Sequence, residues 1–262
     1  MHIKQADFIE SYKEIAIKAA RLGGEILKDK FNSNLKIKAK GKHDIVCNAD
    51  FESEETIINF IKSEYPTHGF FAEESGKEYN NSDLIWFIDP LDGTANFIVG
   101  NPYFSVSIAL VQRGKVILGV VFNPILNELY YAEKGKGAYL NGKKIHVSKK
   151  ASLKDAFLGT VFLSENFRFS SKIIEKLVLN SRKISIGFSP AMNLCNVARG
   201  RLDGLIDFST EPVDHAAGSL VVTEAGGTIQ NFNNKNWDLE EVGIIASNGF
   251  IHNSILKTIY KT

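Results

Sequence analysis

Apolar residues at Ile9, Tyr12, Ile15, Ala16, Ala19, Leu22, Ile26 and Leu27 recur at helical spacing, which predicts an amphipathic helix near residues 6 to 30. A lysine-rich stretch from Lys36 to His43 follows, broken by Gly41. Ile57, Ile58, Phe60 and Ile61 form a second stripe, so Phe51 to Tyr65 is a second helix, ended by Pro66. The period then shortens. Leu84 to Ile88 is an apolar run suited to a buried strand. Phe104 to Val111, Val116 to Phe122 and Glu128 to Ala132 are rich in β-branched and aromatic residues. Turn residues at Gly114 and at Pro124 to Asn127 separate them, so an antiparallel meander is expected. A further hairpin is expected from Gly135 to Lys150, turning at Asn141-Gly142.

Beyond about residue 151 strand and helix patterns alternate. Strands are expected at Ala156 to Val161, Lys183 to Ile186, Leu205 to Phe208 and Ile244 to Ala246. Helices are expected at Lys172 to Leu179, Met192 to Arg199, Ala216 to Ala225 and Phe250 to Tyr260. Alternation of this kind favours an α/β arrangement. The division is therefore a 1–150 α+β subdomain with an antiparallel sheet and most of the candidate site, and a 151–262 α/β subdomain that completes it. The two are expected to pack into one layered body.

Composition narrows the function classes. The 262 residues carry a formal net charge of +1, so no global field draws in nucleic acid or a membrane surface. Cys47 and Cys195 lie far apart, which argues against a disulfide framework and for a reducing compartment. The amino-terminal pattern is interrupted by Glu10, Lys13 and Glu14, and no apolar run is long enough to span a bilayer. The chain is read as cytoplasmic, with no membrane partner.

The candidate chemistry lies in three acidic groups. Glu73-Glu74 follow Phe70-Phe71-Ala72, Asp89-Pro90-Leu91-Asp92-Gly93-Thr94 follow the strand at Leu84 to Ile88, and Asp214 opens a helical segment after Pro212. Each sits where an extended run ends, the place where ligands gather in α/β proteins. Carboxylates converging there repel one another unless a cation neutralises them, and hard oxygen donors without His or Cys indicate Mg²⁺ rather than zinc. Pro90 fixes the backbone between Asp89 and Asp92, and the Leu91 carbonyl lies between them as a further oxygen donor. Gly93 and Thr94 can begin a helix whose free N–H groups face a phosphate. Taken singly, each group has a bland reading: Glu73-Glu74 as solvated surface, Asp89 and Asp92 as turn formers, Asp50 as a helix cap. Their combination favours a metal site.

These motifs resemble the inositol monophosphatase family, the bacterial SuhB-type members above all. The resemblance is carried by Glu73-Glu74-Ser75, Asp89 through Phe97, Asp214-His215-Ala216-Ala217-Gly218 and Glu224-Ala225-Gly226-Gly227. Lys40 to Val46 leading to Asp50, Asn193-Leu194-Cys195 and Gly200 to Gly204 add to it, so it runs from about Lys40 to Gly227. It implies the layered αβαβα sandwich of the sugar phosphatases and hydrolysis of inositol monophosphate or a similar small polyol or sugar phosphate. Two or three Mg²⁺ ions, lithium sensitivity and a homodimer are also implied. Fructose-1,6-bisphosphatase, histidinol-phosphatase and nucleotide phosphatase activities share the metal motifs. SuhB-type relatives also suggest a partner role with RNA polymerase and the rRNA antitermination machinery, for which the lysines from Lys134 to Lys150 would offer a basic hairpin.

By the same resemblance Glu73, Asp89 and the Leu91 carbonyl hold one ion, and Asp89, Asp92 and Asp214 hold a second. Asp50 and Thr94 position and deprotonate the attacking water, with Glu73 alongside, and Glu74 stands behind them or reaches a third ion. Asp92, the Gly93 and Thr94 amides, Ser189 and Asp207 contact the substrate, Asp207 reading its hydroxyls. Three positions depart from the family pattern: Val213 replaces Trp, Cys47 replaces Thr, and Gly187-Phe188-Ser189-Pro190-Ala191 replaces a run of smaller residues. His215, beside Asp214 on the same helix, points elsewhere and is read as structural or exposed. The strand face of Phe104, Val106 and Ile108 is offered either to the core or to a second subunit.

Overall fold

The computed structural model describes residues 5–41, 45–161, 167–208, 211–240 and 243–260. The first helical stripe forms α1 (Gln5–Lys30). A short antiparallel pair, β1 (Ile37–Ala39) and β2 (Ile45–Cys47), leads into α2 (Asn48–Glu64). This helix starts earlier than Phe51 because Cys47 and Asp50 close a capping box over its first turn. Residues 42–44, inside the segment that resembles the family's amino-terminal metal region, lie outside the described residues.

The meander is part of an eight-stranded sheet. It contains β3 (Gly69–Ala72), β4 (Gly76–Glu78), β5 (Leu84–Asp92), β6 (Ser105–Gln112), β7 (Lys115–Asn123), β8 (Glu128–Glu133), β9 (Gly137–Leu140) and β10 (Lys143–Lys144), with α3 (Thr94–Ile98) leaving the end of β5. Its order is β10-β9-β8-β7-β6-β5-β3-β4. The β9–β10 hairpin turns at Asn141 and Gly142, both at positive φ, as an Asn-Gly turn requires. The alternating half gives a five-stranded mixed sheet in the order β12-β11-β13-β15-β14. Its strands are β11 (Phe157–Val161), β12 (Lys183–Ile186), β13 (Gly204–Asp207), β14 (Thr228–Gln230) and β15 (Ile244–Ser247), and its helices α4 (Phe167–Asn180), α5 (Pro190–Ala198), α6 (Pro212–Glu224) and α7 (His252–Tyr260).

Strand alternation sorts the side chains into layers. On β6, Val106, Ile108 and Leu110 face α1 and α2, where Ala16, Ala19, Leu27, Ile57 and Ile61 cover them. Ala109 and Val111, pointing the other way, meet Met192 and Leu194 of α5 and Ala217 and Val221 of α6. The same helices bury Leu205, Ile244 and Ala246 of the smaller sheet. Its outer face, Leu158, Ile206 and Ile245, packs on α4 and α7. The result is an αβαβα sandwich in which α5 and α6 form the middle layer. Gly119 makes that layer possible on β7, since a Cβ there would stand 2.5 Å from the Ala217 carbonyl oxygen.

Phe104, Val106 and Ile108 are fully buried within this core. Phe104 lies against Phe31 and Phe97, 5.2 and 4.8 Å between ring centroids. That face is therefore closed by α1 and α2 and is not a surface for a second subunit. Both cysteines are free and buried. Among the described residues, no helix is long and apolar enough to cross a membrane.

Candidate active site

β5 does not stop at Ile88 as its apolar run suggests; it continues through Asp92 with a bulge between Asp89 and Asp92 opposite Ser107 and Ser105 of β6. The extra residue lets Asp89 and Asp92 leave the strand at its carboxyl end together. Asp89 Oδ1 accepts the Leu91 N–H at 3.0 Å, closing a tight turn over Pro90. Gly93 then takes a positive φ of 94°, and a Cβ there would lie 2.9 Å from the Phe188 carbonyl oxygen. Glycine is required at this point by both conformation and space. The chain passes directly into α3.

α2 supplies the opposite wall. At its first turn Asp50 is buried, and its Oδ2 accepts both the backbone N–H and the thiol of Cys47 at 2.9 Å. Its Oδ1 lies 3.0 Å from the Thr94 hydroxyl, which also stands 3.1 Å from the Leu91 carbonyl. One hydroxyl proton serves one acceptor at a time. When it goes to Asp50, the Leu91 carbonyl is left for another positive partner. Burial raises the Asp50 carboxyl above its usual range against its hydrogen bonds, and pushes the Cys47 thiol up to about 12.

Glu73 and Glu74 occupy the hairpin loop between β3 and β4. Burial raises Glu73, and its carboxyl meets that of Asp89, so one of the two must hold a proton or share a cation. Asp89 is raised well above normal by burial and by the charges of Glu73, Asp92 and Asp214. Asp214, in the first turn of α6, is raised by burial and then by Glu73, Asp207 and Asp92. Burial pushes Asp92 to about 6 despite four hydrogen-bond donors. Asp50, Glu73, Asp89, Asp92, Thr94 and Asp214 thus lie within hydrogen-bonding or electrostatic reach of one another. Among the described residues no three such side chains are drawn in tightly enough to hold an ion as they stand. The donor set, all hard oxygens, and the shared Glu73–Asp89 position nonetheless fit a hard divalent cation.

One cation does enter, from the first residue of the amino-terminal segment that resembles the family. Lys40 Nζ lies 3.1 Å from Glu73 Oε1 and also bonds Glu74. Burial alone lowers a lysine, yet the charges and hydrogen bonds of Glu73 and Glu74 raise this one. Glu74 is itself raised to about 7, mainly by burial. Lys40 lies outside the acidic motifs and reaches them only in the folded chain.

The substrate wall departs further from expectation. Ser189 is fully buried as the residue before α5, and its hydroxyl bonds Asp92 Oδ2. Ser105 bonds the same oxygen at 2.8 Å, and the Ala191 and Met192 amides approach Asp92 at 3.2 and 3.4 Å. Ser189 therefore holds Asp92 in place and has no surface for a substrate. Asp207, at the end of β13, has 0% exposure, with the His215 Nε2 3.3 Å from its Oδ2 and the Trp237 ring edge-on to His215. A carboxylate without surface cannot bond substrate hydroxyls in this conformation; Asp207 braces α6 beside Asp214 instead. His215 is buried and structural rather than exposed. Phe188 is half exposed at the mouth of a cleft of about 430 Å³, shared with Asn96, Tyr103, Asn193 and Arg201. The basic hairpin is partly neutralised by Lys136–Glu133 and Lys150–Asp203 pairs.

Two residues of α2 with no motif signal complete the site. The Ser53 hydroxyl donates to the Pro90 carbonyl at 3.0 Å, and Glu54 accepts the Glu74 and Ser75 amides, each at 2.8 Å. Their positions three and four residues after Asp50, on the same helix face, were the only signal available.

The geometry agrees with what the chain is similar to. The model of the inositol monophosphatase family matches residues 9–262. A Thermotoga maritima protein named fructose-1,6-bisphosphatase/inositol-1-monophosphatase is 40% identical over 222 residues, covering 85% of each chain. A Pasteurella multocida protein named Nus factor SuhB is 39% identical over 251 residues, covering 94% of each. The crystal structure of the extragenic suppressor protein suhB from Bartonella henselae superposes with a TM-score of 0.93 at 33% identity, covering 96% of this chain and 99% of the other.

Proposed function

The chain belongs to the inositol monophosphatase family, and on that premise we propose that it is a Mg²⁺-dependent phosphomonoesterase acting on a small polyol or sugar phosphate. The observation that carries the reading is the Asp50–Thr94–Leu91 arrangement at the edge of four mutually repelling carboxyls. Glu73, Asp89 and the Leu91 carbonyl would hold one ion; Asp89, Asp92 and Asp214 would hold a second. Bound Mg²⁺ supplies a water acidic enough to ionise near neutral pH and neutralises the charge of phosphate and leaving oxygen.

The chain's own residues do the rest. Thr94 donates to Asp50 and so presents its lone pairs to a water. Asp50, with its carboxyl raised by burial, is a better proton acceptor than a solvated aspartate. The proton passes from water through the Thr94 hydroxyl to Asp50 Oδ1, and Cys47 keeps the other oxygen occupied. The Gly93 and Thr94 amides hold the phosphate against this pair, and Asp92 stands where the leaving oxygen departs. Glu74 lies behind, within reach of a third ion. No phosphoenzyme is required.

The Thermotoga relative's name supports sugar bisphosphates as well as inositol phosphate among the candidate substrates. The test is a panel of phosphate esters assayed with Mg²⁺ and again after chelation; comparable turnover in both would overturn the reading. The name of the Pasteurella relative supports a second role with the transcription machinery. An Asp89→Asn variant that complements the chromosomal deletion while lacking phosphatase activity would establish that role as separate.

A further inference from the structure

We propose that Glu54 is a positioning residue for the metal site: its carboxylate pins the loop that aims Glu73 at Asp89. The loop Glu73-Glu74-Ser75 joins β3 to β4 in a tight hairpin, with Ala72 paired to Gly76. The N–H groups of Glu74 and Ser75 point away from both strands and into the interior. Left without partners there, they would oppose the turn. Glu54, buried on α2, answers both with one carboxylate, Oε2 to Glu74 and Oε1 to Ser75, each at 2.8 Å. The Glu73 N–H is fixed on its other side by the Ile88 carbonyl at 3.0 Å. The backbone on either side of the Glu73 side chain is therefore held, from β5 at its own N–H and from α2 at the next two, and its carboxyl meets Asp89 and Lys40. Asp50, Ser53 and Glu54 share one helix face and touch the Thr94 hydroxyl, the Pro90 carbonyl and the loop amides respectively. α2 thus touches both acid-bearing segments of the larger sheet, the Glu73–Glu74 loop and the Asp89–Thr94 segment.

A carboxylate at this place costs something: it adds a negative charge beside a cluster already short of counter-charge. Two charge-assisted bonds to backbone amides offset that cost in a way no neutral side chain matches. Glutamine keeps the shape but presents an NH₂ group to one of the two amides. Aspartate keeps the charge but is one methylene too short to reach both.

The inference rests on the proposed metal site, so the experiment contains a control for that reading. Mn²⁺ binding to the full chain is followed by EPR of the free ion for the wild type, Glu54→Gln, Glu54→Asp, Asp89→Asn and Ile255→Val. The last lies on the buried face of α7 and lowers stability without approaching the site. Both Glu54 variants should weaken Mn²⁺ binding by about tenfold, the typical effect of losing a group that orients a ligand. Ile255→Val should bind as the wild type does. A Glu54→Asp variant with wild-type affinity would show that only the charge matters and would overturn the proposal. So would normal affinity in Glu54→Gln. If Asp89→Asn also binds normally, the metal site itself is wrong; if Asp89→Asn loses binding while the Glu54 variants keep it, only the positioning role is wrong.

Discussion

The floor of the site and its substrate wall are built in different ways. On the floor, Asp50, Asp89 and Asp92 sit at a first helical turn or a bulge and are held by backbone groups and hydroxyl contacts: Asp50 by the Cys47 amide, Asp89 by the Leu91 amide, Asp92 by two amides of α5 and two serines. On the wall, the residues are held by one another. Asp207 lies against His215, and His215 against Trp237. Backbone-held groups are fixed by the fold itself, whereas side-chain-held groups change when a neighbour changes. The floor can thus keep a common chemistry while the wall carries what is particular to this chain.

The most severe way to break the comparison is to remove the cation that the floor is built around. After exhaustive chelation, turnover should fall to the uncatalysed background and return on adding Mg²⁺, with lithium inhibiting the restored enzyme. Full activity in the chelated protein would leave the floor without a purpose. Next in size is Asp92→Asn. Turnover at saturating Mg²⁺ should fall by at least roughly a hundredfold, as for loss of a principal electrostatic element. The structure adds a second consequence, because an amide nitrogen now faces the hydroxyls and amides that Asp92 accepted. Stability should fall by about 1–3 kcal/mol, read by urea unfolding without metal. Near-normal turnover would remove Asp92 from the floor.

Asp207→Ala sharpens the comparison from the other side. With its carboxylate sealed behind His215, the substitution should lower kcat/KM for a polyol phosphate and for a small aryl phosphate by factors that agree within about threefold, through the displaced start of α6. A loss confined to the polyol ester, of roughly tenfold or more, would mean that Asp207 turns outward to read hydroxyls when substrate binds.

The layered fold and the floor were legible in the sequence because their signals are local. Asp89 to Thr94 carry two acids, a proline and a glycine in six consecutive positions, and the hydrophobic period changes where the architecture does. The groups that tune the site arrive from afar, and nothing local in the sequence shows what they touch. Lys40 crosses to Glu73, Ser53 to Pro90 and Ser105 to Asp92 through contacts that exist only once the sheet is assembled. The wall was misread for a related reason. Whether Asp207 faces solvent depends on His215 and Trp237, which converge on it from α6 and from the segment between β14 and β15. The face of Phe104, Val106 and Ile108 reads alike for core and for interface until α1 and α2 are in place.

The smallest effect expected, and the one that separates floor from wall most cleanly, is the pH dependence of the metal-free protein. Asp92 is raised to about 6 and Glu74 to about 7, and Asp89 and Asp214 are raised well above the usual carboxylate range, burial being the largest cause in each. A carboxyl raised in the folded state holds its proton there while the unfolded chain, at ordinary values near 4, has lost it. Between those limits the folded state binds more protons, so stability falls as pH rises from about 4 through about 7. The Lys40 pairs with Glu73 and Glu74 oppose this in part, because they strengthen as those acids ionise. The net result should be a metal-free Tm at pH 8 lower than at pH 6 by roughly several degrees. Protons and Mg²⁺ compete for the same oxygens, so added Mg²⁺ should raise Tm more at pH 8 than at pH 6. Asp92→Asn should flatten the metal-free slope, and Phe188→Ala on the wall should leave it as it is. A metal-free Tm that climbs with pH across this range would mean that the floor's carboxyls are already neutralised by the protein itself, with Lys40 sufficient and no cation needed.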